Sequence, residues 1–312
     1  MRLRFSLRTL LLLITASSVW LGWHIHATRR QEHAVKAILA YGGWVRYDFQ
    51  FSTKGYAPQN FDPKAESNVP RWLVEQLGVD FFHSVVQVNL NYSDDSGTRK
   101  ENSNTSDEAL QYLPAMPDIR VLLLQNTQAR DSSLKHVSNL RKLEHLYMWD
   151  VSLVSDAGVE HLEGLHNLKS VHINDSRISD GALRVFGRLE NLEELSLQGN
   201  HFSDDGLANL VDLQRLRSLW ANQGTTRISD RGLEHLVQLS QLETLAIQGD
   251  SITDDGLQTL ARLKGLKWLM VSSNTVTEEG AERLRAKLGN AKIELYHLIP
   301  TKAGETMWGL VR

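Results

Sequence analysis

The sequence predicts an α/β solenoid, in which short strands stack into one parallel sheet and a short helix follows each strand. Three observations support this prediction. A leucine-rich segment recurs about every 24 residues from residue 119 onward, a Ser/Thr-Asp pair follows most copies, and leucines at helical spacing follow that pair. Self-similarity at a fixed period of roughly 20–50 residues is typical of repeat architectures. A unit of this size cannot bury a core alone, so its neighbours must stack on it.

The strand half of each unit has apolar residues at alternate positions, which turns one side of a short strand toward a core. An earlier copy at 85–90 and a later fragment at 291–295 bring the total to about nine units. The complete copies begin 24, 25, 24, 24, 26 and 24 residues apart. They are IRVLLL (119–124), LEHLYM (143–148), LKSVHI (168–173), LEELSL (192–197), LRSLWA (216–221), LETLAI (242–247) and LKWLMV (266–271).

The helix half of each unit begins with Ser or Thr, continues with Asp or Glu, and usually has Gly at the fourth position. We expect the hydroxyl to cap a helix by accepting a first-turn N–H, and the acid to favour the helix dipole. Leucines such as Leu207, Leu210 and Leu213 then bury one helix face. One unit departs, with Arg130-Asp131 at this place. The other copies begin at Ser106, Ser155, Ser179, Ser203, Ser229, Thr253 and Thr277.

These repeats closely resemble the leucine-rich-repeat family over about 85–299. Their [ST]-D-x-G-L form is similar to that of F-box-type and bacterial surface-anchored repeat proteins. The resemblance implies a horseshoe solenoid, with parallel strands on the concave face and short helices on the convex face. The family usually has Asn just after the strand, but most units here have another residue, so its hydrogen-bond ladder is expected to be degenerate. The residues at this position are Ser93, Thr127, Val151, Ser176, Asn200, Asp250 and Asn274.

Residues 1–30 are predicted to be an N-terminal transmembrane anchor, with the span at 9–28. The 20 residues between Arg8 and Arg29 contain no acid, Lys or Arg, and as a helix they would be about 30 Å long, the thickness of a hydrocarbon core. A cleaved signal peptide is the alternative, since Ala16 and Ser18 fit a small-x-small site. The apolar run continues beyond that site, which favours an uncleaved single-pass anchor. If the short N-terminal tail stays on the cytoplasmic side, the repeats are expected on the extracytoplasmic side.

Residues 31–84 are predicted to form an N-terminal cap of helix, strand and helix that covers the open core of the first repeat. The W-L-x-x-x-L-G-x-D-F-F segment at 72–82 resembles the cap of bacterial N-terminally membrane-anchored repeat proteins. Residues 44–51 alternate as a strand does, whereas an F-box would be wholly helical. Residues 300–312 form a C-terminal tail, which either folds over the last repeat or hangs free.

Composition excludes several function classes. After residue 30 the chain has 29 Lys and Arg (34 minus five) against 37 Asp and Glu, a formal charge of −8, which lacks the footprint of a nucleic-acid binder. There is no cysteine, so thiolate chemistry is excluded. No catalytic or phosphate-binding motif is present. We expect no enzyme activity, no cofactor and no metal, since Asp94-Asp95 in the polar stretch 93–106 lacks the rest of a calcium loop.

The solvent side of the strands is the predicted functional surface, because three tryptophans, two tyrosines and two histidines share it. Exposed aromatic side chains beside amides are typical of binding hot spots. We predict a scaffold for a protein partner, with a glycan as an alternative ligand; a structural cell-envelope component and an F-box-like adaptor are further alternatives. The histidine–carboxylate cluster is the one place where acid–base chemistry could occur. The predicted contact residues are Tyr92, Gln125, His145, Tyr147, Trp149, His172, Asn174, Glu194, Gln198, Trp220, Asn222, Gln248 and Trp268.

Overall fold

The predicted α/β solenoid is confirmed by a computed structural model, whose described residues build an 11-stranded open sheet with helices along one side. Neighbouring strands in the sheet are also neighbours in sequence, from β1 to β11. Each strand therefore packs only against the units before and after it, as expected for a solenoid. The structure describes residues 7–52, 55, 60–90, 106–125, 127–224, 227–300 and 306–310.

The nine central strands, β2 to β10, are parallel, whereas the two edge strands β1 and β11 run antiparallel to their neighbours. The strands are β1 (Trp44–Tyr47), β2 (Val85–Asn89), β3 (Val121–Leu123), β4 (His145–Trp149), β5 (Ser170–Asn174), β6 (Glu194–Ser196), β7 (Ser218–Ala221), β8 (Thr244–Gln248), β9 (Trp268–Ser272), β10 (Lys292–Pro300) and β11 (Thr306–Leu310). The tail predicted at 300–312 thus contributes an edge strand.

The helices of the repeats are short, and several continue as a single 3-10 turn, because each must return the chain within one 24-residue unit. The helices are α1 (Leu7–Ala40), α2 (Arg71–Leu77), α3 (Ser106–Ala109), α4 (Asp131–Leu134), α5 (Asp156–Val159), α6 (Asp180–Phe186), α7 (Asp204–Leu207), α8 (Asp230–Leu236), α9 (Asp254–Thr259) and α10 (Glu278–Leu288). The last of these is the longest repeat helix in the described part of the chain, and it packs against α9 and β10.

The core is a continuous column of apolar side chains between the sheet and the helices. The strand register stacks equivalent residues, so that Leu146 pairs with Val171 and Leu195 pairs with Leu219. All four are fully buried. A buried leucine stabilises the fold by roughly 1.5–3 kcal/mol relative to an exposed one. The repeated leucine pattern therefore fixes the register, because a shift by one residue would turn this set toward solvent.

An aspartate clamp joins successive repeats along the helix side; it is formed by the Asp of five Ser/Thr-Asp pairs and by Asp131 of the Arg130-Asp131 unit. In a typical rung, Asp180 accepts the backbone N–H of Ser203 at 2.8 Å and its hydroxyl at 2.7 Å. Six such rungs occur among the described residues, with backbone distances of 2.7–2.9 Å. Hydrogen bonds to a charged acceptor are stronger than neutral ones, so the clamp couples each unit to the next.

The glycine of the same motif makes room for the clamp. A Cβ added at Gly206 would lie 2.2 Å from Asp180 Oδ1, and one at Gly256 would lie 1.8 Å from Asp230 Oδ1. Five glycines at the fourth position of the motif, and Gly181 at the third position of its copy, face the aspartate of the preceding repeat; the five are Gly158, Gly206, Gly232, Gly256 and Gly280. Glycine is needed here because of this close approach, and not because of an unusual backbone angle.

Helix capping by the Ser/Thr hydroxyl is present in only some repeats. The hydroxyl of Ser155 accepts the N–H of Ala157, and Thr277 caps α10 through Gly280. By contrast, the side chains of Ser179 and Ser203 make no capping hydrogen bond. The hydroxyl instead donates to the preceding Asp in every rung. Coupling between repeats, rather than the expected cap, is what these six copies share.

The asparagine expected just after the strand forms a full set of buried side-chain hydrogen bonds in one unit. Asn200 is completely buried and donates to the carbonyl oxygens of Ile173 at 2.7 Å and Leu197 at 3.1 Å. Its amide oxygen accepts the Ser176 hydroxyl at 2.7 Å. In contrast Asn274, in a later unit, is exposed. The degenerate pattern in the sequence thus corresponds to one buried inter-repeat bridge at Asn200 and one exposed bridge, in which Asn274 Nδ2 donates to Asp250 Oδ1 at 3.1 Å, rather than to a continuous ladder.

The N-terminal helix α1 runs without interruption through the boundary that we placed at residue 30. The first helix of the predicted cap is not a separate element but the C-terminal part of α1, where Ala34 and Ile38 are fully buried in the core of the first repeat. Gln31 anchors this part by donating to the His83 carbonyl oxygen at 2.8 Å. The strand predicted at 44–51 is shorter, because β1 gives way to a 3-10 turn at Asp48–Gln50.

Candidate functional site

The sheet face opposite the core is the concave face, and it carries most of the predicted contact residues. Along β4, Leu146 and Met148 are fully buried, His145 and Tyr147 are half-buried, and Trp149 is exposed. Alternate residues of a strand point to opposite sides of the sheet. The unbroken parallel register repeats this alternation from strand to strand, so the outward positions of β4 to β9 lie on one surface.

Four rings from β4 and β5 form the Trp149 cluster, which consists of His145, Tyr147, Trp149 and His172. The ring centroids of Tyr147 and His172 are 4.9 Å apart, and Trp149 lies 6.2 Å from Tyr147 and 6.3 Å from His172. Trp149 is 39% exposed, which makes it the most exposed large hydrophobic residue in the described part of the repeats. The neighbouring rings hold it in place while one side remains open to solvent.

Glu194, on β6, lies beside the Trp149 cluster and gives it a negative edge. Its Oε2 accepts the Ser170 hydroxyl at 3.0 Å and lies 3.8 Å from His172 Nε2, which is ion-pair range but too long for a hydrogen bond. The His172 ring and the Ser170 hydroxyl hold the pKa of Glu194 below its ordinary value, although partial burial opposes this effect. The carboxylate is therefore ionised at neutral pH.

Burial of His145 should make the fold less stable in mild acid. Desolvation lowers the pKa of His145, although Glu144 and Glu194 oppose the shift. Below about pH 6.5 the unfolded chain then binds a proton that the folded chain resists, so the free energy of unfolding falls as pH drops from about 7 to 5. We expect His145→Gln to lose less stability over this interval, as measured by urea titrations of the full chain in detergent.

The control for this measurement is His166→Gln, which changes an exposed histidine in the turn before β5. Burial also lowers the pKa of His136, so the variant should retain part of the pH dependence. An unchanged pH dependence in His145→Gln would show that His145 titrates freely in the folded protein and would contradict the prediction.

A second aromatic group lies further along the same face, where Trp220 on β7 and Trp268 on β9 meet above β8. Their ring centroids are 5.1 Å apart. Between them lies Ala246, which is completely buried although it occupies an outward position. The Trp220 indole N–H donates to the Ser218 hydroxyl at 2.9 Å. This tryptophan pair is half-buried and covers the sheet, so it also contributes to stability.

Two of the predicted amide contacts, Asn174 and Gln248, hold the edge of the sheet together, and a third, Asn222, is buried. The side-chain oxygen of Asn174 accepts the Ser196 hydroxyl at 2.9 Å and the Gln198 N–H at 3.0 Å. Gln248 accepts the N–H of Gln223 at 2.8 Å. Asn222 is only 2% exposed, so it offers almost no surface to a partner. The polar groups of Asn174 and Gln248 are thus largely committed to the protein itself, which the alternation pattern alone does not reveal.

The remaining predicted contacts differ in position. Glu194 is exposed, whereas Gln125 and Gln198 are half-buried at the ends of their strands. Tyr92 and the polar stretch 93–105 lie outside the described residues. The structure therefore brings together His145, Tyr147, Trp149, His172 and Glu194 as one group, and Trp220 and Trp268 as another.

The histidine–carboxylate cluster is not arranged for nucleophilic catalysis. A serine nucleophile needs its hydroxyl on a histidine base, but the Ser170 hydroxyl donates to Glu194. No set of three metal-ligating side chains occurs among the residues that the structure describes. What the surface offers is a partly exposed indole, half-buried rings and an ionised carboxylate, which suits binding of another molecule.

A polar chain in the cap was not foreseen from the sequence, because its three members come from different segments. His83 is 8% exposed; its Nδ1 lies 2.8 Å from Asp48 Oδ1 and its Nε2 lies 2.7 Å from Ser67 Oγ. The order matches that of a hydrolytic triad, but Ser67 Oγ also accepts the Val69 N–H at 3.1 Å. The Phe49 ring packs on the imidazole, with centroids 4.5 Å apart. We interpret this chain as a structural tie.

Comparison with known proteins gives one match to a family model and a similarity among solved structures. A family model described as leucine-rich repeat matches residues 188–211, which include β6 and its flanking turns. This segment therefore matches the leucine-rich-repeat family. Among solved structures, an internalin from Listeria monocytogenes is similar, at 20% sequence identity and a TM-score of 0.40, covering 59% of this chain and 69% of that chain. A search of the curated proteins found no match.

The described residues have the architecture that the resemblance implied, with strands on one face and helices on the other. Residues 188–211 include the clamp aspartate Asp204 and the motif glycine Gly206 of one repeat. The match thus covers the strand and helix halves of a typical unit. Neither comparison identifies a partner, so function is inferred from the surface of the repeats.

Proposed function

We propose that this leucine-rich-repeat protein is a membrane-anchored scaffold that binds a protein partner on its concave face. The observation that carries the proposal is Trp149, a tryptophan 39% exposed on the sheet surface and held between Tyr147 and His172. Tryptophan, tyrosine and arginine dominate binding hot spots, where a rigid ring loses little entropy on binding. Catalysis is not proposed, since no hydroxyl in this cluster is activated by a histidine.

The membrane anchor in this proposal is the first part of α1. It is long and apolar enough to span a membrane, and it is the one such helix among the described residues. A signal sequence passes the same test of length and composition, but the helix continues into the cap, where Ala34 and Ile38 belong to the folded core. We therefore propose an uncleaved anchor with the repeats on the extracytoplasmic side, which protease digestion of intact and lysed cells would test.

The proposed binding surface has a centre and an extension. The centre is the Trp149 cluster with Glu194, which combines apolar area with one ionised carboxylate. The extension is the pair formed by Trp220 and Trp268, three to five strands away from β4, at about 14–24 Å for a strand spacing of roughly 4.8 Å. A partner that reaches both groups would cover the middle of the sheet, which is a span typical of a protein rather than of a small ligand.

The test is a comparison of partner capture by the full chain and by Trp149→Ala in detergent extracts of the native membrane. Trp149 alone is the sharper change, because Trp220 and Trp268 shield Ala246 and their removal would also weaken the fold. We expect the captured protein to be lost with Trp149→Ala. Once the partner is purified, its affinity for the variant should be at least tenfold lower, which corresponds to about 1.4 kcal/mol.

The matched control is Trp72→Ala, which removes a tryptophan that is 61% exposed on the cap, away from the sheet face. Equal capture by Trp149→Ala and the unchanged chain would contradict a binding role for the Trp149 cluster. Capture of a polysaccharide instead of a protein would favour the glycan alternative, and capture of the chain itself would favour an envelope component. The strand β1 within the cap gives no support to an F-box-like adaptor, whose cap would be wholly helical.

A further inference from the structure

A groove with basic walls lies where α1 leaves its exposed apolar segment and meets the first repeat. Its volume is about 310 Å³. One wall is the face of α1 that carries His26, Arg29, Arg30 and His33, and the opposite wall is the 3-10 turn at Leu110–Ala115. The groove is open to solvent along one side, so a ligand can enter without rearrangement of the fold.

The walls of the groove are cationic and its floor is apolar. None of the residues that line it is acidic, while Ala34, Pro114 and Ala115 contribute apolar atoms. Glu32, on the neighbouring turn of α1, is paired with Lys36 at 2.5 Å. Within the described residues, the guanidinium groups of Arg29 and Arg30 make no ion pair closer than 4 Å. Two arginine side chains beside apolar atoms suit a phosphate ester.

The position of the groove along α1 matches the headgroup layer of a membrane. Leu7 to Trp23 is an exposed segment about 25 Å long, at roughly 1.5 Å per residue. The folded cap first contacts the helix at His24, whose Nε2 lies 2.9 Å from the Phe81 carbonyl oxygen. Arg30 follows Trp23 by about 10 Å along the helix axis, which is just beyond the hydrocarbon boundary that interfacial tryptophans mark.

One face of α1 connects the groove with the apolar segment. Val19, Trp23, His26, Arg30 and His33 are spaced by four, three, four and three residues, so they form a single stripe on a 3.6-residue helix. Val19 and Trp23 are exposed. An acyl chain that lies along the lower part of this stripe would place its headgroup between the basic residues of the upper part.

We propose that this groove binds the phosphate of an anionic phospholipid headgroup in the membrane that α1 spans. The inference rests on the proposed membrane anchor and is independent of the partner surface on the concave face. Arg29 and Arg30 supply charge-assisted donors, the histidines supply further donors, and Ala115 with Pro114 forms the apolar side. The planar guanidinium group of arginine matches the geometry of phosphate oxygens and can bind them through paired hydrogen bonds. The bound lipid would fix the height of the cap above the bilayer.

The test uses the full chain reconstituted in phosphatidylcholine vesicles with and without phosphatidylglycerol, and native mass spectrometry of the chain after detergent extraction. We expect one phosphatidylglycerol to be retained per chain and the melting temperature to be several degrees higher with phosphatidylglycerol present. The double change Arg29→Gln and Arg30→Gln should reduce retention at least tenfold. The control is the double change Arg262→Gln and Lys264→Gln, which removes the same charge from exposed positions in a distant repeat and should leave retention unchanged.

A second variant distinguishes binding of the lipid in the groove from non-specific attraction of the basic residues to an anionic membrane surface. Ala115→Leu fills the apolar side without changing the charge, so retention should fall if the lipid lies in the groove. Full retention by Ala115→Leu would overturn the proposal. Glycerol phosphate could also raise the melting temperature of the lipid-free chain as much as phosphatidylglycerol does. That result would overturn the proposal and point to a soluble phosphate ester as the ligand.

The outcomes also distinguish this inference from the anchoring on which it rests. A chain that fails to sediment with either kind of vesicle would contradict the membrane anchor. A chain that sediments equally with both, and retains no phosphatidylglycerol, would contradict the headgroup site alone and leave the anchor intact.

Discussion

Replacing Asp204 by Ala should lower the free energy of unfolding by about 2–4 kcal/mol. The carboxylate of Asp204 accepts the backbone N–H of Ser229 at 2.9 Å and the Ser229 hydroxyl at 2.5 Å, and so joins two successive repeats. Hydrogen bonds to a charged group contribute roughly 1.5–3 kcal/mol each, and the loss of one partner leaves the other unsatisfied. Urea titration of the full chain in detergent, followed by tryptophan fluorescence, would measure the change.

The neighbouring Asp205 provides a matched control, since it has the same charge in the same helix turn. Its side chain is 72% exposed and pairs with Arg231, which is also exposed. Exposed ion pairs contribute little, so Asp205→Ala should change the free energy of unfolding by less than about 1 kcal/mol. Equal effects of Asp204→Ala and Asp205→Ala would mean that the first turn needs only negative charge near the helix dipole, and the clamp would be unsupported.

Replacing Gly256 by Ala should destabilise the protein by about 2–4 kcal/mol, although helix propensity alone predicts stabilisation of up to about 1 kcal/mol. The added methyl group would lie 1.8 Å from Asp230 Oδ1 and 2.2 Å from its Cγ. Asp230 would have to swing away and release Thr253, whose N–H and hydroxyl it accepts at 2.8 and 2.7 Å. The same urea titration would measure this effect.

A double change tests whether the clash with Asp230 causes the loss of stability in Gly256→Ala. Because Gly256→Ala already displaces Asp230, the combination with Asp230→Ala should cost clearly less than the sum of the two single changes, by at least about 1 kcal/mol. Gly265→Ala is the control, since its nearest non-neighbouring atom is the Leu242 carbonyl oxygen at 3.7 Å. Additive losses would indicate that Gly256 is required for a reason other than contact with Asp230.

The repeat motif illustrates how local chemistry can be understood incompletely from sequence. Ser, Asp and Gly at fixed positions have well-known local roles at a helix start, and these predicted a capped helix with a favourable dipole. The structure shows that the Asp also reaches the next repeat, 23–26 residues away in sequence, and that the Gly makes space for the Asp of the preceding one. A local pattern cannot reveal a contact between units, because it does not say which atoms meet when the units stack.

The concave face shows the same limit. Alternation along the strands predicted correctly that His145, Tyr147 and Trp149 share one side of β4. It did not show that Trp149 stays exposed while Asn222 is buried, nor that Trp220 and Trp268 meet across the small Ala246. Exposure depends on the size of the residues on neighbouring strands, which the sequence of one strand does not contain.

The sequence by itself determined the architecture, because a leucine pattern repeated every 24 residues leaves each unit with an apolar face that only another unit can cover. It also determined the apolar character of the N-terminal segment, from the 20 residues without an acid, Lys or Arg. Tertiary structure alone decided which polar groups are free and which are committed. It also merged the apolar segment and the cap helix into one α1, and so brought Arg29 and Arg30 against the turn at Leu110–Ala115. The physical reason is that periodicity fixes which way a side chain points, whereas its partners depend on distances between segments far apart in the chain.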